Sequence, residues 1–468
     1  MFGIMALSAF YWSAWAADDL TQRKENPRRV EAEQRIRRGT IFDRSGTPLV
    51  SSIQAGVTRG GDPIWVRAYP EATRSYVSVI GYSTLKYGVS GAEEAYNTLL
   101  RGENSIDPLS PRFRDLIHKM PQGNDLKLTL DLPRQIRLYT LISTIPGVKR
   151  GALVVIEVPS GAIRAMISLP SFFPGELDAQ FESLRSDPSA PLINRALQGV
   201  YQPGGALHPV ILSAILSERR EALESLVSSQ PLTLQELTIP CLMTPPNAEN
   251  FTLPLREALI YGCPRPFAES VVTQRTTVQT TFDSFGLAKF PILEGFRTAS
   301  GLYEAPPPLY AFSTDGELLR QQGAGQGALR VTPLQMAVTA GVFANHGGSV
   351  TPYILEAVRS PSEEWRSRTP TTSITPVAVR EIADTVSGLM RESVLSGAAH
   401  AANQGSVKVH GLSSFAYSGR SDQQPQGIVW FIGFAEQPNG TSLAVAVALE
   451  ETLDHKLAAQ IGGQALTP

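Results

Sequence analysis

Two cysteines in 468 residues leave no room for a disulfide framework. Cys241 and Cys263 can form one bridge outside the cytoplasm or stand as two unpaired structural cysteines; the sequence leaves both open. The histidines number six and are scattered, without metal-ligand spacing, so no metal site is expected. No Gly-rich phosphate loop of either common type is present, and no cofactor is expected. An excess of positive charge is also missing. The net charge is -2 and the pI is about 6.4, which argues against nucleic acid as a partner. There is no internal repeat and no low-complexity segment. What remains is 42% hydrophobic and 18% charged, a globular composition long enough for two or three domains.

Residues 1–17, MFGIMALSAFYWSAWAA, carry no charge before Asp18 and Asp19. A membrane span needs about 20 apolar residues, so this run is slightly short. It lacks a basic n-region, and Tyr11, Trp12 and Trp15 near its end suit an interfacial belt. The run reads as a transmembrane anchor truncated upstream; a cleaved signal peptide and a buried core helix are the alternatives. The stretch 23–38, RKENPRRVEAEQRIRR, holds seven Lys/Arg against three Glu and reads as a solvated helix that can also touch lipid headgroups.

Beyond it, residues 39–66 alternate apolar and polar positions between Gly, Pro and Asp, which predicts short strands and turns. VSGAEEAYNTLLRG predicts a helix from about Gly91 to Leu100 that ends near Gly102. NDLKLTLDLP predicts a strand, and RQIRLYTLIST a helix opening after a proline. From Gly151, two apolar strands joined by PSG predict a hairpin. Helical stretches follow near 205–228, 254–262, 333–346 and 377–396. GIVWFIGFA and SLAVAVALEE close the chain as strands around an Asn-Gly turn. Strands at both ends of a helical middle imply one sheet, an α+β domain.

Five segments resemble the class B penicillin-binding proteins, which are membrane-anchored D,D-transpeptidases that cross-link peptidoglycan. RRGTIFDRSGTPLVSS (Arg37–Ser52) and GVSGAEEAYNTLLRG (Gly88–Gly102) resemble motifs of the N-terminal pedestal, a dimerisation-type module. GALVVIEVPSGAIRAMISLPSF (Gly151–Phe172) and WFIGFAEQPNGTSLAVAVALEE (Trp430–Glu451) resemble the first and last hairpins of the transpeptidase sheet. GQGALRVTPLQMAVTAGVFANHGGSVTPYI (Gly325–Ile354) is the most specific block. The juxtamembrane residues, YW and later ENPRR, resemble the penicillin-binding protein A subgroup. The resemblance implies an anchor over 1–17, a juxtamembrane helix and pedestal over 18–145, and a transpeptidase domain over 146–468. That domain would have the serine β-lactamase-like α+β fold, a sheet with helices on both faces. Most of the chain would lie outside the plasma membrane as a single-pass protein, although the basic run pulls the other way by the positive-inside rule.

Enzymes of this family use Ser-x-x-Lys, Ser-x-Asn and Lys-Thr-Gly motifs. The serine attacks a peptide carbonyl, and the lysine one helical turn away takes its proton. The second motif shuttles the proton and holds the substrate amide, and the third binds the terminal carboxylate beside a glycine. Carried over by position, the nucleophile falls on Gly205 and the lysine on His208. Ser-x-Asn falls on Gly262, Cys263 and Pro264, and Lys-Thr-Gly on Leu412, Ser413 and Ser414. No catalytic residue is expected. Lys408 lies near the third motif, but shifting the alignment onto it does not restore the glycine.

The literal match Ser83–Lys86, STLK, reads as chance, because Tyr87 and Gly88 follow and no helix opens there. Ser413 and Ser414 fall on an expected strand with no Lys or Cys-His arrangement in sequence reach. Cys263 has Arg265 two residues on, the positive neighbour that a reactive thiolate needs, but the expectation is a buried or partly buried structural cysteine. The expectation is a catalytically inactive homologue that acts as a scaffold or regulator in cell-wall synthesis or division. Its partners would be a polytopic membrane glycosyltransferase of peptidoglycan synthesis or an active paralogue, with peptidoglycan itself a further possibility. The alternatives are a hydrolase or carboxypeptidase of altered chemistry using His208 with water or Cys263, and a non-catalytic binder of stem peptides.

Overall fold

The computed structural model describes residues 27–58, 60–103, 122–235, 237–246, 251–289, 293–296, 312–361, 363–368, 374–421 and 424–468. The expected anchor at 1–17 lies outside them. Among the described residues, no helix is long and apolar enough to cross a membrane. The basic run yields a helix over Pro27–Arg35.

The chain forms two compact units. The first comprises Met1–Leu128, Phe173–Glu182 and Leu355–Arg368; the second holds Thr129–Phe172, Ser183–Ile354 and Thr369–Pro468. A single break at 145/146 was the expectation from sequence, and the structure differs in two ways. The helix Leu132–Ser143 belongs to the second unit because Leu138 and Ile142 are fully buried in its core. The strand Leu355–Arg359 belongs to the first because it pairs with Asp125–Leu128.

The first unit is built on a sheet in the order Arg366–Ser367, Leu355–Arg359, Asp125–Leu128, Ile41–Phe42, Pro48–Val57, Pro63–Ala68. Gly39 opens it. Its N–H donates to Leu100 O, and a Cβ there would lie 1.8 Å from Asn124 O, so only glycine fits. The helix expected from Gly91 is two short helices, Gly91–Ala95 and Asn97–Arg101. The buried Tyr96 leaves helical backbone geometry between them, and Gly102 ends the second in the left-handed conformation. This bend aims Glu93 and Asn97 at Arg38. Arg38 donates to Glu93 Oε2 at 2.7 and 3.0 Å and to Asn97 Oδ1 at 2.7 Å. Arg67 donates to Glu93 Oε1 at 2.6 Å.

The second unit begins with Leu132–Ser143 (α1), Gly151–Val158 (β1) and Ile163–Leu169 (β2). His208–Glu218 (α2), Arg265–Thr273 (α3), Pro333–Ala344 (α4) and Arg380–Ser396 (α5) make up much of the helical middle. Val409–Ser421 (β3), Gln424–Glu436 (β4), Ser442–Glu450 (β5) and His455–Leu466 (α6) close it. The strands form one antiparallel sheet in the order β3-β4-β5-β1-β2, so the two ends of the domain meet at β5 and β1. One face carries Leu153, Val155, Phe431 and Val445 against α1 and α6. Helix α4 packs against β1, β4 and β5, with Gly341 facing Val158 and Ala444. Both faces are covered, which is why these strands read as unbroken apolar runs rather than alternating ones. Thr332 and Gln335 close a reciprocal capping box at the start of α4, with Pro333 in its first turn.

Glu93 is fully buried. Burial alone would raise its pKa, but the guanidiniums of Arg67 and Arg38 outweigh burial and hold the carboxyl below its ordinary range. Glu93→Ala leaves two arginines without their counter-ion and is expected to destabilise the first unit by about 3–5 kcal/mol in thermal or urea unfolding. A depressed carboxyl pKa contributes stability at neutral pH that is lost as pH falls through the acid range. The gap between wild type and variant should therefore narrow on acidification; a gap under about 1 kcal/mol at neutral pH contradicts this account.

Candidate functional site

The segment Tyr201–Leu207 is fixed on several sides before α2 begins. Tyr201 exchanges backbone hydrogen bonds with Val331, and its hydroxyl donates to Glu450 Oε1 at 2.8 Å. The indole N–H of Trp430 donates to Gln202 O at 2.9 Å, and the Ser414 hydroxyl donates to Pro203 O at 3.0 Å. Gly204 has φ +53°, and a Cβ there would lie 2.1 Å from Phe415 O on β3. Gly204–Leu207 then make a 3-10 turn that feeds directly into α2. Pro209 sits in the first turn of α2, where its missing N–H costs nothing.

The positions drawn from the three motifs meet around one cavity. Gly205, His208, Gly262, Pro264, Leu412, Ser413 and Ser414 all line it, and its volume is about 20 Å³. That is room for about one water. Ile239, Pro240 and Leu242 line it as well. Ile239 ends, and Pro240 and Leu242 follow, a small hairpin, Leu232–Leu234 with Leu237–Ile239, whose Leu232, Leu234 and Ile239 pack on Ala268 and Ala324. Cys241 and Cys263 are joined by a disulfide, which ties this segment to the second motif. Of the two alternatives for the cysteines, the bridge is the one the structure contains, and Cys263 is no free thiol. The guanidinium of Arg265 is held away, donating to Gln230 O and Pro231 O.

His208 is 3% exposed and its ring stacks on Phe267 of α3 at 4.2 Å between centroids. Burial pushes its pKa down to about 3, against a weaker opposing effect of a backbone hydrogen bond at Gly323. It is therefore neutral at pH 7, and its Nε2 is buried without a hydrogen-bond partner. A Cβ on Gly205 would lie 3.1 Å from Cε1 and Nδ1 of this ring. The imidazole fills the space beside position 205 and has no hydroxyl there to deprotonate.

Ser413 and Ser414 point to opposite sides of β3. Ser414 pins the Pro203 carbonyl, as above. Ser413 donates to Ala398 O at 2.8 Å and lies 3.1 Å from His455 Nδ1. Sequence reasoning found no Lys or Cys-His arrangement in reach of Ser413; His455 stands 42 positions away, and only the packing of the start of α6 against β3 joins them. With the Ser413 proton committed to a carbonyl, His455 acts as a partner and not as a base. Lys408 is exposed and absent from the cavity lining. The lining contains no charged side chain. In the first unit, Ser83 and Thr84 form a two-residue strand paired with Gly88–Val89, so Ser83 and Lys86 do not share a helical face.

Residues 151–467 match the penicillin binding protein transpeptidase domain, and residues 38–126 the penicillin binding protein A dimerisation domain. The chain belongs to the penicillin-binding protein transpeptidase family. It is 27% identical to the peptidoglycan D,D-transpeptidase PbpA of Mycolicibacterium smegmatis, over 98% of this chain and 94% of that one. Identity to PbpA of Mycobacterium tuberculosis is 25% with the same coverage. The crystal structure of PBPA from M. tuberculosis superimposes with a TM-score of 0.79 at 22% identity, covering 92% of this chain and 99% of that one. A penicillin G acyl-enzyme complex of that protein gives 0.77 at 24%, covering 92% and 98%. The family places the chain in peptidoglycan synthesis, with an α+β transpeptidase fold behind a dimerisation-type module.

The pKa of His208 sets an acid sensitivity. The unfolded imidazole takes up a proton near pH 6.5, whereas the folded one resists until about pH 3, so stability falls as pH drops through that window. Between pH 7 and pH 5 this costs about 2 kcal/mol relative to a His208→Leu variant. Denaturant titrations of both proteins at the two pH values check it; parallel losses in both would refute the assignment.

Proposed function

We propose that this protein is a transpeptidase-family member without acyl-transfer chemistry, acting as a scaffold or regulator of peptidoglycan synthesis at the plasma membrane. One observation carries the reading: the motif positions converge on a cavity of about 20 Å³ that offers neither a nucleophile at Gly205 nor a titrating base at His208. In serine acyl-transfer enzymes, loss of the nucleophile alone costs about a millionfold in turnover. What an oxyanion hole and binding alone retain is on the order of a thousandfold over water, too little to cross-link a wall. A hydrolase of altered chemistry would need His208 or Cys263, and these are buried neutral and disulfide-bonded. A stem-peptide binder would need room and a cation for the terminal carboxylate, and the cavity supplies neither.

On this reading the chain is a single-pass protein whose two units lie outside the membrane, the run 1–17 being its anchor. It binds a polytopic membrane glycosyltransferase of peptidoglycan synthesis or an active paralogue. The family membership supports this placement, because partners of a transpeptidase-shaped surface remain available when the cleft is closed.

Incubation of the purified protein with a fluorescent penicillin should leave no covalent band on a denaturing gel. A band that appears with native protein and vanishes when the protein is heat-unfolded beforehand would overturn the proposal. Co-purification from membranes should recover a glycosyltransferase or a paralogue together with the chain.

A further inference from the structure

A second cavity, of about 440 Å³, lies in the first unit, far from any residue of the three motifs in sequence. Its size falls in the range of about 300–1,000 Å³ found for small-molecule sites. Its wall includes Arg67, Arg38, Trp65, Ser83 and Lys86. Behind the wall, Glu93 answers two guanidiniums with one carboxylate, so this buried trio keeps an uncancelled positive charge. The Arg38 guanidinium spends four of its five donors on Glu93 and Asn97. The Arg67 side chain is 4% exposed, its Nε donates to Glu93, and its Nη1 donates to Ser52 Oγ at 3.2 Å. Its Nη2 is 2.6 Å from Glu93 Oε1 but buried without an aligned hydrogen bond. A guanidinium has five N–H donors; with Nε on Glu93, one Nη1 hydrogen on Ser52 and Nη2 buried against Glu93, the second Nη1 hydrogen of Arg67 is the one without a partner.

At the rim, the exposed Lys86 ammonium lies 4.8 Å from the centre of the Tyr87 ring, with the carboxylates of Asp178 and Glu182 acting on its charge. The carboxylates on the lining are Glu33, which is paired with Arg101, and Asp178. Trp65 offers an aromatic wall, flanked by Arg37 at 5.0 Å. Buried guanidiniums with spare donors are matched by planar or tetrahedral oxyanions, and an indole face is matched by the apolar face of a ring.

We infer that this cavity binds a small acidic ring compound, whose carboxylate or phosphate is held by Arg67 and Lys86 while its ring lies along Trp65. The pattern Ser83–Lys86, which imitates a catalytic motif on paper, then has a use as one edge of this site. The inference is independent of whether the cleft around Gly205 is active.

Calorimetric titration of the full chain tests it with four probes: N-acetylmuramic acid, glucose 6-phosphate, N-acetylglucosamine and inorganic phosphate. At least one of the two ring acids should bind with a Kd below about 1 mM, and the one that does identifies the anion as carboxylate or phosphate. Inorganic phosphate should bind more weakly and neutral N-acetylglucosamine not measurably. Arg67→Met would also unseat Glu93 and so puts folding at risk. Lys86→Glu changes only an exposed residue and should weaken the ring acid about tenfold or more. Failure of both ring acids to bind at millimolar concentration overturns the inference. So does equal binding of the neutral sugar, equal binding of inorganic phosphate, or an unchanged Kd in Lys86→Glu.

Discussion

Helix α2 is enclosed on every side from His208 to Leu216, and that enclosure governs what its first turn can hold. A cation buried there would need a counter-ion, and the cavity lining has none. Histidine meets the constraint by giving up its proton and stacking on Phe267. The neutral ring then packs where a residue with a Cβ at position 205 would need space. Gly205 and His208 are therefore a matched pair: the missing side chain of one makes room for the ring of the other.

Close backbone contacts hold the frame around this pair. Gly204 meets Phe415 O on β3, and its N–H donates to Gly325 O. Trp430 and Ser414 take the carbonyls of Gln202 and Pro203. Apart from the Ser414 hydroxyl, which belongs to the third motif, these contacts use backbone atoms and residues outside the motif positions, so most of the frame does not depend on what those positions carry. The first unit follows the same logic at a different place. The Arg-Gly pair at 38–39 and the two short helices bearing Glu93 and Asn97 are separate stretches of sequence, joined by one buried ion cluster and one glycine contact.

Periodicity made most of the second unit legible. The hairpin from Gly151, the helix α4 and the closing strands were readable because long apolar segments with sharp turns admit few other arrangements. The convergence of Gly205, Gly262 and Ser414 was reachable only through resemblance, since no local pattern brings positions so far apart in sequence together. The part of the cavity lining at 239–242 was not legible. Ile239 ends a three-residue strand, Pro240 and Leu242 lie in the irregular stretch after it, and two cysteines 22 residues apart do not announce a bridge. The place of Leu355–Arg359 in the first unit was not legible for a similar reason. Leu355–Arg359 reads as one more strand of the second unit until its partner, Asp125–Leu128, is known.

The proposed loss of chemistry is distributed across the site, and this bears on how firmly it is fixed. A serine at 205 would press on the His208 ring. A lysine at 208 would bury an ammonium beside Phe267, in a place where even imidazole sheds its proton. If both were accommodated, the segment 239–242 would still line the space a substrate needs, tied to Gly262–Pro264 by the disulfide. Each change is stabilised by the others, because packing rewards a filled cavity and penalises an unpaired charge. A cleft abandoned only at its nucleophile would keep an open groove and a charged lining. Here the motif positions line a cavity of about 20 Å³ without a charged side chain, which supports the proposed reading that the surface of the fold, and not its cleft, is what is used.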